Sequence, residues 1–277
     1  MLLCRSDPVQ EFHLAVTQLD CRRVLCILRI KGGFIDTVNS RDCWLRTATM
    51  LIAKQTTSDC RGRSHVRRSM LDILLEAGAK LDVVDNAGNT ALMHSVLSSS
   101  EDVVDWLLDA GADAGLTNNV GVTPLWQSVF DVVSRHKHHQ WPIVRRLLTA
   151  DGDLDQKCRG PLLFAYGTEH VYCYEDPVSA LDLAIDGGCQ STARLLVGAG
   201  CSCSASQMMA MADHDTCFSW LDDLLAESRS LQHLCRLVIR RCIGLRLDVV
   251  VQKLPIPVQL RSFLLLENIP EPSLCTG

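Results

Sequence analysis

His136, His138 and His139 fall within one short segment, and they are the nearest this sequence comes to a metal centre. No adjacent cysteine or carboxylate completes a ligand set. The segment Arg135-His136-Lys137-His138-His139-Gln140-Trp141 is better read as a solvated loop with Trp141 folded inward. Cys201-Ser202-Cys203 lacks the second pair that a structural zinc site requires. Asp222-Asp223 reads as a solvated helix face rather than an acid–base pair. The sequence contains no glycine-rich phosphate loop, no Gly-x-Ser-x-Gly elbow and no His-Glu-x-x-His. No catalytic residue, metal or cofactor is therefore expected.

The chemistry this chain does carry is that of recognition. On a helix beginning near Ser230, the residues Leu231, Leu234, Cys235, Val238, Ile239 and Cys242 fall at steps of three and four and form one apolar stripe. Arg236, Arg240 and Arg241 lie off that stripe and are expected to face water, with Gly244 closing the helix. Leu231 is long enough to fill a deep pocket on a partner, where truncating such an anchor costs ~2 kcal/mol or more. Cys235, one turn on, is a compact hydrophobe that lets two surfaces approach closely. In Leu254-Pro255-Ile256-Pro257, the two prolines hold the chain extended and present Ile256 from a stiff segment with little entropy left to lose.

A core-facing helix would show the same stripe. The combination is what carries weight: the Ser230-Leu231 start, the cysteine at its step, and the Leu-Pro-Ile-Pro followed by a Leu260/Phe263/Leu264 helix. Together they resemble a SOCS box. In that family the first part docks on elongin C, itself paired with elongin B, and the Leu-Pro-x-Pro part selects cullin 5 with its RING partner. The resemblance implies elongin contacts at Leu231, Leu234, Cys235, Val238 and Ile239. It implies cullin contacts at Leu254, Pro255, Ile256 and Pro257.

The preceding two hundred residues are periodic. Asn89-Thr90-Ala91-Leu92-Met93 recurs as Val122-Thr123-Pro124-Leu125-Trp126, with the threonines 33 residues apart. Thr90 to Gly111 and Ser179 to Gly200 are both 21 residues. Thr123 can cap a helix, Pro124 suits the first helical position, and Gly111 and Gly200 can end a helix left-handed. Asp85-Asn86-Ala87-Gly88 and Asn118-Asn119-Val120-Gly121 are turn-formers between helix pairs. The pattern resembles the ankyrin repeat, although Met93 and Trp126 stand where its consensus histidine would be. Weaker units begin at Phe12 and Thr47, which makes five repeats. A stretch from about Ser202 to Glu227, with its apolar residues between Met208 and Leu225, would supply a helical cap, because the last unit of a stack exposes an apolar face.

Three insertions interrupt the stack. The first, Lys54 to Arg68, is basic and reads as solvated surface or as a seat for an acidic segment. The second holds the three histidines. The third carries Phe164, Tyr166, Tyr172 and Tyr174, which form either the loop's own small core or a contact patch. Asn86, Asn119, Trp126 and Gln127 occupy the positions where ankyrin stacks hold protein partners, and they are the candidate target contacts.

With 277 residues, 47% hydrophobic and 21% charged, the chain is expected to be an ordinary globular protein. A net charge of −5 argues against nucleic acid or anionic membrane as a partner, and no apolar run spans a bilayer. The 14 cysteines follow no secretion signal, so they are expected to be reduced and mostly buried, Cys21, Cys26, Cys189, Cys217, Cys235 and Cys242 among them. Placement is then cytoplasmic, with nuclear presence compatible.

The expected fold is all-α: an ankyrin-repeat solenoid over residues 8–206, a helical connector over 207–227 and a three-helix SOCS box over 228–270. The whole resembles the ankyrin-repeat-and-SOCS-box family. That implies the substrate-recognition subunit of a cullin-5 RING ubiquitin ligase, itself without catalytic residues. The alternatives are an ankyrin adaptor outside any ligase and an enzyme built on the histidine cluster.

Overall fold

Periodic threonine caps and terminal glycines should cut the chain into short paired helices, and they do. The computed structural model describes residues 8–30, 37–55, 64–135, 137–150, 154–158, 177–201, 231–243 and 247–269. Among these residues there are thirteen helices and no strand, only an isolated bridge between Cys158 and Val178. No described helix is long and apolar enough to cross a membrane. The chain divides into two units, 1–119 and 120–277.

The first unit holds three helix pairs: α1 (Pro8–Thr17) with α2 (Cys21–Ile30), α3 (Ala48–Ala53) with α4 (Ser64–Glu76), and α5 (Ala91–Leu97) with α6 (Glu101–Asp109). The first helices pack in one row and the second helices in another, α1 on α3 on α5 and α2 on α4 on α6. Within this unit the apolar face of each of the first two pairs is thus covered by the pair that follows. Phe12, Val16, Ile52, Met70, Leu74, Leu92, Val104 and Leu107 form the buried seam. Thr90 caps α5 by accepting from the Met93 amide. Between pairs, Asp85 accepts from the amides of Ala87 and Asn89, which closes a tight turn. Gly88 there has φ +79, and an added Cβ would lie 2.6 Å from the Asn119 amide nitrogen, so both conformation and space require glycine.

The displaced consensus histidine has a physical replacement one position later. His94 is 8% exposed and donates through Nε2 to the Asp85 carboxylate at 2.8 Å, tying helix to turn. Burial pushes its pKa below the ordinary 6.5, and the attraction of Asp85 only partly offsets this. The folded state therefore favours the neutral ring, while an unfolded chain takes up a proton near the ordinary value. Stability from this group is present above that value and is lost as pH falls through the lowered one. The unfolding midpoint is expected to drop between about pH 7.5 and pH 5.5, and His94→Gln should shrink that drop in a thermal melt.

The second unit contains two further repeat pairs and a terminal trio. α7 (Pro124–Ser134) leads through a 3-10 turn (His138–Gln140) into α8 (Trp141–Thr149), and α9 (Ala180–Asp186) pairs with α10 (Gln190–Ala199). Thr123 caps α7 with Pro124 at its start, and Ser179 with Asp182 forms a reciprocal capping box on α9. Gly200 ends α10 at φ +116, as the spacing requires. The trio is α11 (Leu231–Ile243), α12 (Leu247–Lys253) and α13 (Val258–Leu264), with α11 packed on α10. Leu247, Val251 and Leu264 are its core. The expected cap between Met208 and Leu225 lies outside the described residues, as does Gly244.

Candidate functional site

Helix α11 has two faces, and they point the opposite way from the usual amphipathic arrangement. Leu234 is 49%, Val238 62% and Ile239 36% exposed, and Cys235 and Cys242 are exposed with them. The side chain of Leu231 lies outside the described set. The other face carries Arg236, which is 5% exposed, and Arg240, which is mostly buried, together with the half-buried Leu237 and Ile243. The expectation that Arg236 and Arg240 face water is therefore overturned. Arg241's side chain is not described.

The cause lies in the groups that receive the arginines. Arg240 donates through Nη1 to the Leu264 carbonyl at 2.7 Å and through Nη2 to the Leu148 carbonyl at 2.6 Å. Both carbonyls belong to the last turn of a helix, α13 and α8, where backbone acceptors have no partner in their own helix and carry partial negative charge. Arg236 lies over the Phe263 ring, 3.8 Å from its centroid. Burial, with a smaller contribution from Arg236's charge, pushes the Arg240 pKa down to about 10, so the guanidinium stays protonated at neutral pH. Arg145 donates to the Ile269 carbonyl at 3.2 Å, and Arg146 pairs with Asp248 at 3.0 Å. Arg145, Arg146 and Arg240 thus knit the terminal trio to a repeat helix of its own unit, while Arg236 braces α11 against α13 inside the trio.

Pro255 and Pro257 are exposed, as expected of a stiff presented segment, but Ile256 is not its tip. Its side chain packs against the core of Leu247, Val251 and Leu264, and Leu254 is half-buried. The apolar surface beside the prolines is instead Val258, 70% exposed, and Leu260, 40% exposed. The sequence reading passed over Val258. Its signal was its place just after Pro257, one turn ahead of the inward-facing positions of α13.

Of the four candidate target contacts, two are surface and two are core. Asn86 and Asn119 are exposed at neighbouring turns, with the Asn119 side-chain amide donating to the Asn86 carbonyl at 3.0 Å. Trp126 and Gln127, at 1% and 2% exposed, have no surface to offer a partner, which corrects that expectation. Trp126 stacks on Phe130 at 5.5 Å and donates through Nε1 to the Val178 carbonyl at 3.0 Å. Gln127 donates to Asp131. Both stand in the first turn of α7, which packs between α8 and α9, so their repeat position is interior.

The row of turns contains a residue the sequence reading missed. Asp42 accepts from the amides of Trp44 and Arg46 as Asp85 does in the next repeat, and the Asn86 amide donates to the Trp44 carbonyl at 3.3 Å. Trp44 is 60% exposed at that tip, with Leu45 beside it. The available signal was an aspartate five residues before two of the capping-position threonines, Asp42 before Thr47 and Asp85 before Thr90.

The insertions divide similarly. In the basic one, Lys54 and Arg68 are exposed, but Arg67 is 1% exposed and bonds the Gln55 carbonyl, Ser100 and Asp102. It is an internal brace rather than part of a charged surface. Arg61 and Arg63 lie outside the described residues. In the second, Trp141 is fully buried, as expected, and His139 is exposed, whereas His136 and the His138 side chain are not described. The loop is anchored by Asp131, which is fully buried and accepts from Gln127, Arg135, Lys137 and Gln140. Phe164, Tyr166, Tyr172, Tyr174, Cys217, Asp222 and Asp223 are outside the described set. The described cysteines are free, but only Cys158 and Cys201 are buried. The expectation of mostly buried thiols therefore fails, because the α11 stripe that carries Cys235 and Cys242 faces outward and Cys26 and Cys43 sit on the surface.

Comparison with known proteins bears on both halves of the chain. The family model for the SOCS box matches residues 227–265, and that for ankyrin repeats, in three copies, matches residues 12–118. A mouse (Mus musculus) protein named ankyrin repeat and SOCS box protein 14 is 40% identical over 63 residues, which is 22% of this chain and 11% of that relative. The match thus spans only about a tenth of the relative's length.

Proposed function

We propose that this chain, which is an ankyrin-repeat and SOCS-box protein, is the substrate-recognition subunit of a cullin-5 RING ubiquitin ligase. Leu231, Leu234, Cys235, Val238 and Ile239 grip elongin C, with elongin B bound to it. Pro255 and Pro257 meet cullin 5, with Leu254 and Ile256 holding the segment in place from inside. The repeats hold a target protein through the turn row of Trp44, Asn86 and Asn119. The working boundaries are 8–206 for the repeats, 207–227 for the connector and 228–270 for the SOCS box. The chain supplies no nucleophile. It raises the local concentration of target lysines near the ubiquitin-loaded conjugating enzyme.

The single observation that carries this reading is the apolar ridge of α11 turned to solvent on a helix whose other face is locked to the body. An uninterrupted apolar strip of that kind marks a protein-docking surface. A cytoplasmic placement agrees with free thiols at the described cysteines.

Co-expression of the full chain with elongins B and C is expected to yield a ternary complex that then captures cullin 5. Pro255→Ala with Pro257→Ala should lose cullin 5 and keep the elongins. A wild-type chain that captures no elongin sinks the reading and leaves an ankyrin scaffold outside any ligase.

A further inference from the structure

Burial of apolar surface is the main force in folding, and it should turn the α11 stripe inward. The stripe faces out, so something on the opposite face must hold it there. Rolling α11 by half a turn would set Val238 and Ile239 against α10 and release both arginines to water. Two features oppose that roll. First, Arg240 joins the ends of α8 and α13 through the Leu148 and Leu264 carbonyls. The roll would leave these two helix-end acceptors without their charged donor. Second, α10 offers a seat shaped for this face. A Cβ on Gly198 would stand 3.1 Å from the Arg236 guanidinium, and one on Gly200 would stand 3.1 Å from Leu237.

The geometry points to Arg236 and Arg240 as the residues that set the roll of α11 and thereby keep the partner-docking ridge open in the free protein. Buried charge is poor mortar, since an apolar substitute of like volume is often as stable or more so. Its use here is to exclude the alternative packing. The consequence for elongin binding rests on the proposed function. The orientation itself does not.

The test uses the full chain and reads the ridge through its own thiols. Cys235 and Cys242 are exposed on it, so N-ethylmaleimide should alkylate both quickly in the wild type, with each site followed by peptide mass spectrometry. In the double variant Arg236→Met/Arg240→Met, alkylation at both sites should slow by about tenfold or more while the melting midpoint holds, because burial protects a thiol. Elongin B/C capture should fall with it. Adding Val238→Glu to the double variant should restore alkylation, since a carboxylate on the stripe forbids its burial. The conservative Arg240→Lys, which keeps a charge on the inner face, should alkylate like the wild type.

Unchanged alkylation in a folded double variant overturns the inference. So does loss of the melting transition, which would make the arginines structural only. If the wild type captures no elongin but the thiols behave as stated, the ligase reading fails and the orientation role stands.

Discussion

Leu234→Asp is expected to weaken elongin B/C binding by at least about 30-fold and to leave the melting midpoint of the free chain where it was. The first half follows from the size of the anchor: losing a large apolar side chain at the centre of an interface costs ~2 kcal/mol or more, and a carboxylate there adds the cost of an unpaired buried charge. The second half follows from exposure. Leu234 is half in water before any partner arrives, and surface changes of this kind stay within roughly 0.5 kcal/mol. Titration of purified elongin B/C against the variant, beside a thermal melt, separates the two. Retained binding would remove the ridge from the docking surface. A collapse of the melt would mean that the stripe packs within the chain. Leu231→Asp should lose binding in the same way.

The second large effect runs in the reverse sense. Trp126→Ala is expected to destabilise the protein by about 3–5 kcal/mol, because it empties a fully enclosed indole site and leaves the Val178 carbonyl without its donor. Chemical unfolding followed by circular dichroism measures it. A variant of native stability that loses a target protein would instead restore Trp126 to the contact surface. The same position in the preceding repeat holds Met93, also buried, at 2% exposed. The interior character of this repeat position therefore does not depend on the tryptophan.

Trp126 shows where sequence reasoning stops short. Its place three residues past a capping threonine was legible, and so was the helix it opens. Its direction was not, because that depends on α9 arriving from more than fifty residues later to cover it. Arg67 has the same history. In a run of basic residues it reads as surface, yet Ser100 and Asp102 of the next repeat draw it inside. Ile256 was expected at the tip of its segment and instead closes the core of the terminal trio.

What could be read in advance was local. A threonine or serine accepts an amide three residues on, a glycine turns left-handed at a helix end, and an aspartate closes its own turn. Each acts within a few residues, so a linear string contains both partners. The helices opened by Thr90, Thr123 and Ser179 came from such signals, whereas the grouping of Leu234, Cys235, Val238, Ile239 and Cys242 on one side of a helix came from apolar spacing.

Periodicity assigns neighbours to a stripe and is blind to the helix's rotation about its axis. That rotation was decided by groups distant in the chain: the carbonyl ends of α8 and α13 and the two glycines of α10. A charged guanidinium can satisfy those carbonyls and a leucine cannot, so the arginines went in and the apolar side was left for another molecule to cover.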